Sequence, residues 1–125
     1  ADWRQLGHLG SGTYGSVFAY RVKGQDVAVK RLPQVFSSPV GALRALREVR
    51  VLAHFRHPNI VSLHELYLDG PKFQDLYLCM ELLDTSLATF TQESGAALGE
   101  HQVLCVLYQI LRGLLALHTA QVIHR

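Results

Sequence analysis

The sequence predicts an α+β fold with a strand-rich first half and a helical second half. Residues 6–82 hold several short segments rich in β-branched and aromatic residues, which are typical of strands, and one helical segment lies among them. Residues 87–119 carry the apolar spacing of helices instead. Strands that come first and helices that follow are typical of α+β architectures.

The composition describes one packed domain. With 125 residues, 49% hydrophobic and 18% charged, the chain has the size of one globular domain. Its net charge of +2 comes from scattered basic residues, so no nucleic-acid surface is predicted, and its first residues show no signal peptide.

The longest apolar stretch, residues 103–117, is interrupted by Gln109 and Arg112, and we expect it to be too short to span a bilayer. Cys79 and Cys105 form no metal-spaced pair, which indicates two reduced thiols and no metal site.

The first three predicted strands follow one another across two turns. Residues 6–10 and 16–22 flank a glycine-rich turn. A second turn at residues 23–25 leads into "DVAVKRL", residues 26–32, where the valines alternate as in a strand.

A helix with a recognisable start comes next. Ser38 can cap its N-terminus, and Pro39 suits the first helical position. The segment "HPNIV" at residues 57–61 is predicted to end it, because it contains proline and asparagine. The apolar residues are predicted to share one face of this helix: Ala42, Leu43, Ala45, Leu46, Val49, Leu52 and Ala53.

Two strands and two helices complete the predicted order. The strands are "SLHELYL" and "DLYLCMEL", joined around residues 69–71, and the helices cover residues 87–92 and about 100–119. The long helix is apolar on nearly all sides, which is typical of a helix in the centre of a larger body. We therefore expect about half of the fold to lie outside these 125 residues.

The stretch "LGSGTYGSVF" contains glycines at positions 10, 12 and 15, a spacing found in two kinds of nucleotide-binding site. In dinucleotide-binding oxidoreductases a helix follows the glycines. Here "SVFAYRV" follows, and its β-branched and aromatic residues favour a hairpin whose backbone can lie over phosphates. An ordinary glycine-rich hairpin without a ligand stays open as the alternative.

A lysine and a glutamate are candidates for one ion pair. Lys30 ends the apolar strand segment "VAVK", where an ammonium group needs anions to offset its desolvation. Glu48 lies on a largely apolar part of the helix and needs a cation for the same reason. The alternatives are a solvent-facing Lys30 at the strand end and a surface pair between Glu48 and Arg44, four residues apart on the helix.

Five segments together resemble a eukaryotic serine/threonine protein kinase, because they stand in that family's order and spacing: "LGSGTYGSVF", "VAVKRL", "RALREVRVLAHFRHPNIV", "DLYLCMELLD" and "VIHR". The hinge-like "MELLDTSL" and the segment "LYQILRGLLALHTAQVIHR" resemble the mitogen-activated protein kinases in particular. The resemblance covers the whole chain but only the first half of a kinase domain. It implies a five-stranded antiparallel N-lobe with one helix over residues 1–80, a hinge over residues 81–86 and the first C-lobe helices over residues 87–125, ending before the catalytic aspartate.

The resemblance implies a role for each matching residue. Lys30 and Glu48 would be the catalytic pair that orients the α- and β-phosphates of ATP, since phosphoryl transfer depends mainly on positioning and charge stabilisation. Met80 would be the gatekeeper behind the adenine, and Glu81 and Leu83 would offer hinge backbone groups to its edge. Plain core packing is the alternative for Met80 and Leu83. The other implied ATP contacts lie in the glycine-rich turn and around the adenine: Leu9, Gly10, Ser11, Gly12, Thr13, Tyr14, Gly15, Ser16, Val17 and Ala28.

Two arginines resemble those that bind a phosphorylated activation loop in this subgroup. They are Arg47 on the helix and Arg125 at the start of the catalytic loop, and a guanidinium suits phosphate geometry. A solvated helix face is the alternative for Arg47. The sequence departs from the subgroup at Ser86, where an acidic residue usually bonds the ribose, and in the loop "TQESGAAL".

The implied function is that of an ATP- and Mg²⁺-dependent protein kinase of the mitogen-activated type. Its partners would be protein substrates, an upstream activating kinase and docking-motif proteins in the cytoplasm or nucleus, with no nucleic acid and no membrane. The catalytic aspartate and the Mg²⁺-binding residues would follow Arg125, so we expect the 125-residue chain alone to transfer no phosphate. The alternatives are a non-catalytic product that binds ATP or a kinase's partners, and a dinucleotide-binding oxidoreductase.

Overall fold

A computed structural model of the chain describes residues 3–13, 15–69, 72, 74–93 and 98–124. The predicted α+β class is confirmed by a five-stranded antiparallel sheet with helices. The chain divides into two compact units, one of residues 1–55 with 61–82 and the other of residues 56–60 with 83–125. The predicted lobe and hinge boundaries stay predictions beside this division.

The first unit is built on the sheet, and its strands alternate their side chains between two faces. The strands are β1 (Trp3–Gly12), β2 (Gly15–Val22), β3 (Gln25–Leu32), β4 (Leu63–Asp69) and β5 (Asp75–Glu81), in the spatial order β1-β2-β3-β5-β4. On β3, Ala28, Lys30 and Leu32 share one face while Val27 and Val29 share the other, as the two-residue strand period requires.

Each face of the sheet carries its own small core. One core contains Leu32, Val35, Ala45 and Leu78, with partly buried neighbours that include Met80. The core of the opposite face contains Val27, Val29 and Cys79, packed by the partly buried Trp3, Tyr20, Val22 and Tyr77. The sheet therefore has a helix-covered face and an outer face rich in aromatic residues.

The helix α1 (Pro39–His54) begins as the sequence predicts. Ser38 is its N-cap, and the Ser38 hydroxyl accepts a hydrogen bond from the amide of Gly41 at 3.1 Å. The helix ends at His54, ahead of "HPNIV", so the predicted stop signal lies just beyond the true end.

The predicted apolar face of α1 is wrong for two of its leucines. Ala45, Val49 and Leu52 contact the core, whereas Leu43 and Leu46 are 46% and 52% exposed. The reason is geometric. In a helix with about 3.6 residues per turn, residues three positions apart are separated by about 300° around the axis, which is about 60° less than a full turn. A series that begins on one side of the helix therefore drifts to the other side.

The connection from β3 to α1 is fixed to the start of β5. One carboxylate oxygen of Asp75 accepts from the amide of Gln34 at 2.9 Å, and the other accepts from the guanidinium of Arg31 at 2.7 Å. The amide of Val35 donates to the carbonyl of Gln74 at 2.8 Å. The Gln34 amide, and then Arg31, hold the pKa of Asp75 below its usual range. This connection sets the point from which α1 starts.

The second unit contains α2 (Leu87–Glu93) and α3 (Glu100–Thr119). Gly113 is the buried residue of α3, and a Cβ atom there would lie 2.8 Å from the carbonyl oxygen of Asn59. The close approach of that backbone explains a glycine in the middle of a helix, where it otherwise costs about 1 kcal/mol relative to alanine.

The α3 helix corrects one sequence-based expectation. By length and composition it is long and apolar enough to cross a membrane, although residues 103–117 alone were expected to be too short. Helical residues on both sides of that stretch extend it. The core helix of a soluble protein passes the same test, so this finding by itself assigns no membrane.

Candidate functional site

Lys30 and Glu48 meet in the first unit although 18 residues separate them in the sequence. The Lys30 ammonium donates to a Glu48 carboxylate oxygen at 2.6 Å, and the two side chains are 25% and 33% exposed. β3 turns Lys30 toward the face on which Ala45 of α1 packs, and Glu48 follows Ala45 by one helical turn. The alternative of a solvent-facing lysine at a strand end is therefore wrong.

This arrangement gives Lys30 the properties of an anion-binding group. An ammonium has three donors, and one hydrogen bond to Glu48 leaves two for another acceptor. The carboxylate fixes where the ammonium stands, and the partial burial of both groups strengthens their attraction to each other and to a bound anion. The pair can therefore hold an anionic ligand such as a phosphate in one position.

The three glycines of the hairpin between β1 and β2 are constrained differently. Gly15 has φ +149°, and a Cβ atom there would collide with the carbonyl oxygen of Arg31. Added Cβ atoms at Gly10 and Gly12 would meet nothing within 4 Å. The fold itself requires Gly15, whereas the open space at the other two positions leaves the backbone accessible to a ligand. Tyr14 lies outside the described residues.

A chain of hydrogen bonds that the sequence did not predict joins the two strands of the hairpin. The Ser11 hydroxyl lies 2.8 Å from Nε2 of His8 and 3.0 Å from the Ser16 hydroxyl. In a regular strand, side chains three positions apart point to opposite faces. An irregularity in the β1–β2 register between His8 and Gly10 brings His8 and Ser11 together, and no periodic signal could have revealed it.

A cavity of about 220 Å³ lies beside this hairpin. Thr13 and Gly15 border it from the hairpin, and Gly41, Ala45 and Glu48 border it from α1. The predicted glycine-rich turn and the predicted acid thus line one space within the first unit.

The residues predicted to surround an adenine are only partly brought together. Ala28 and Met80 are direct cross-strand partners, and so are Val17 and Lys30, while Leu9 is exposed. Met80 also packs against the core, as its alternative proposed. Leu83, which belongs to the second unit, is exposed, so core packing does not describe it in this structure.

The hinge candidates are already engaged in local bonds. The Glu81 amide donates to the Ser62 carbonyl at 3.1 Å, and the Ser62 amide donates to the Glu81 carboxylate at 2.9 Å. The Ser86 hydroxyl accepts from the amide of Thr89 at 3.1 Å, which caps the start of α2. The Glu81 side chain and the Ser86 hydroxyl therefore support the fold, whatever else they contact.

The remaining predicted groups are less informative. Arg47 is exposed on α1, and Arg125 lies outside the described residues. Within the part of the chain that the structure describes, no three His, Cys, Asp or Glu side chains group as metal ligands. No step through Mg²⁺ is therefore assigned to these residues.

The whole chain was compared with known protein families. The result is consistent with a lysine–glutamate pair beside a glycine-rich hairpin. Residues 3–125 match the family model of the protein kinase domain. The chain belongs to the protein kinase domain family. The predicted resemblance is thereby confirmed, and the dinucleotide-binding alternative is excluded.

The kinase domain is similar to mitogen-activated protein kinases from plants and yeast. It is 39% identical over 121 residues to mitogen-activated protein kinase 7 of Arabidopsis thaliana, covering 94% of this chain and 33% of that protein. It is 39% identical over 125 residues to mitogen-activated protein kinase sty1 of Schizosaccharomyces pombe, covering 98% of this chain and 35% of that protein. The chain thus spans about a third of the length of the relatives it matches.

Proposed function

We propose that this chain is the ATP-binding part of a serine/threonine protein kinase of the mitogen-activated type. The observation that carries the proposal is the 2.6 Å ion pair between Lys30 and Glu48, which lies in the same unit as the glycine-rich hairpin. Such a pair must be in place for phosphoryl transfer in protein kinases. The mitogen-activated type is supported by the relatives named above.

Bound ATP would supply the phosphoryl group that is transferred to a protein hydroxyl. Lys30 binds phosphate oxygens with the donors that Glu48 leaves free, and Glu48 holds the ammonium in position. The backbone at Gly10 and Gly12 lies close to the phosphates because no side chain stands in the way. Ala28 and Met80, as neighbours across β3 and β5, offer apolar contact to the adenine.

The proposal extends to partners and location. Protein substrates, an upstream activating kinase and docking-motif proteins are included, because the similar proteins are mitogen-activated kinases. We place the protein in the cytoplasm or nucleus, and the free thiols Cys79 and Cys105 suit those reducing compartments.

The test measures phosphate transfer from ATP to a protein substrate by the full-length protein that carries this chain. The variant Lys30→Met is expected to lose roughly a hundredfold or more in kcat/KM, because it removes the charge that positions the phosphates. Glu48→Gln keeps the shape of the side chain but not its charge, and it is expected to lose about tenfold or more.

The matched control is Lys23→Met, which removes an equal charge from the exposed turn between β2 and β3. It should leave the activity unchanged. Equal activity of Lys30→Met and the wild type would refute the proposal. ATP binding without phosphate transfer by the wild type would favour the non-catalytic alternative.

A further inference from the structure

The outer face of the sheet, away from α1, carries a cavity that the proposed function does not use. Its volume is about 440 Å³, within the usual range for small-molecule sites. We call it the outer-face cavity, and its lining is mostly aromatic with one acid: Trp3, Tyr20, Tyr67, Tyr77 and Asp69, with Val29 and Leu68.

The aromatic rings of the outer-face cavity stand nearly perpendicular to one another. The ring of Trp3 lies 5.7 Å from that of Tyr20 at 71°, and 5.2 Å from that of Tyr67 at 84°. Tyr67 and Tyr77 are directly opposite each other on β4 and β5. Rings set at right angles around a shared space present both faces and edges to it, and the negative face of a ring attracts a cation.

The charged side chains around the outer-face cavity also favour the binding of a cation. The Asp69 carboxylate has no hydrogen-bond or ion-pair partner among the described residues, and Glu65 lies on the same face of β4. Arg31, a basic residue of this face of β3, is held by two hydrogen bonds to Asp75 and does not line the cavity. The cavity therefore offers aromatic faces and an unpaired carboxylate, with no basic side chain among its lining residues.

We propose that the outer-face cavity binds an alkylated ammonium cation, such as a quaternary ammonium group. Its alkyl groups contact the ring faces of Trp3 and Tyr67, and Asp69 neutralises its charge. An alkylated cation fits better than a bare ammonium, because it loses less hydration on entering an apolar space. The aromatic cage that recognises quaternary ammonium ligands in other proteins uses the same chemistry.

The test uses the full-length protein and measures dissociation constants by nuclear magnetic resonance titration. Choline is compared with 3,3-dimethylbutan-1-ol, which has the same shape without the charge. Choline is expected to bind roughly tenfold more tightly, because only the cation interacts with the rings and with Asp69. Equal affinities would overturn the proposal, and so would the absence of saturable choline binding.

Four variants locate the site, and the thermal unfolding of each is measured to confirm that it folds. Tyr67→Ala should weaken choline binding roughly tenfold, while Tyr67→Phe should keep it because the ring face remains. Asp69→Asn should weaken it several-fold. Phe36→Ala, which removes an exposed aromatic ring elsewhere in the same unit, should change nothing. Equal choline affinity in wild type and Tyr67→Ala would refute the assignment.

A second pair of probes identifies the source of the cation. Blocked trimethyllysine and blocked unmethylated lysine carry the same chain and differ only in methylation. Tighter binding of trimethyllysine than of choline supports a protein side chain as the natural ligand, and the reverse supports a free cation. Equal binding of the two lysine forms would contradict the proposed preference for an alkylated cation.

Discussion

At the scale of single residues, the glycines of the hairpin can be separated by experiment. Gly15→Ala must adopt φ +149° and must push its Cβ against the Arg31 carbonyl, so we expect it to destabilise the fold by roughly 1–3 kcal/mol. Gly12→Ala meets open space, and we expect its stability to change by less than about 0.5 kcal/mol. We also expect it to bind ATP more weakly, because its methyl group would stand where the proposed function places the phosphates.

Two measurements check this pair of variants. Urea unfolding gives the stability, and displacement of a fluorescent ATP analogue gives the nucleotide affinity. A Gly15→Ala variant as stable as wild type would show that the hairpin relaxes around the new methyl group. A Gly12→Ala variant with unchanged affinity would remove the assigned role of that position.

The lowered pKa of Asp75 predicts that the stability of the fold depends on pH. Its folded pKa is lowered by the Gln34 amide and by Arg31, so its stabilising contribution is present above the unfolded pKa of about 4. That contribution is lost as the pH falls through the lowered folded pKa. We expect the free energy of unfolding to drop between pH 6 and pH 2, and to drop less in Asp75→Asn. The control Asp84→Asn, at an exposed position, should follow the wild-type slope, and equal slopes for all three proteins would contradict the prediction.

At the scale of elements, the cap of α1 links helix stability to the site. Ser38→Ala removes the acceptor for the Gly41 amide and should cost about 1 kcal/mol, while Ser38→Gly should cost only a few tenths. Because α1 carries Glu48, a frayed start is expected to weaken ATP binding in the same order. Titration of both variants with an ATP analogue checks this, with Ser37→Ala as the neighbouring control. Tighter binding by the alanine variant would contradict it.

The sequence predicted those features of the helices and strands that depend on neighbouring residues alone. The start of α1 follows from the preferences of Ser38 and Pro39, and the extent of α3 follows from the spacing of its apolar residues. The buried face of α1 and the true start of β1 did not follow. Packing against Val35 and Leu78 selects the face, and irregularities in the register let β1 pair back to Trp3, so both depend on residues distant in the sequence.

The candidate site, like the fold, was predicted from the sequence only in part. The positions of Lys30 and Glu48 and their pairing followed from the motif order, because motif spacing reflects a shared fold. The His8–Ser11–Ser16 chain and the outer-face cavity did not, since each needs strand register that the sequence does not state. The steric need for glycine at Gly15 also appears only once the Arg31 carbonyl is in place.

At the scale of the whole molecule, the exposed leucines of α3 predict that the isolated chain associates with itself. Leu104, Leu111 and Leu115 are each more than half exposed. We expect the 125-residue chain on its own to self-associate and to bind a hydrophobic dye, because exposed apolar surface of this extent favours association.

Sedimentation velocity of the isolated chain and of the full-length protein checks this prediction. Substitution of the three leucines by glutamine should restore a monomer, while Leu43→Gln on α1 serves as the control at another exposed leucine. A sharp, reversible unfolding transition of a monomeric wild-type chain would contradict it. Flotation of the chain with lipid vesicles would instead indicate a membrane role for α3.

The amide of Gln34, just before α1, is bound to Asp75, so the N-terminal end of α1 would be the pivot of any tilt of this helix. Glu48 lies about ten residues beyond the cap, or about 15 Å along a helix that rises 1.5 Å per residue. A tilt of about 10° about that pivot would move its carboxylate by about 2.6 Å, enough to separate it from Lys30. A displacement of α1 at its exposed leucines, Leu43 and Leu46, would thus make or break the hydrogen bond between Lys30 and Glu48.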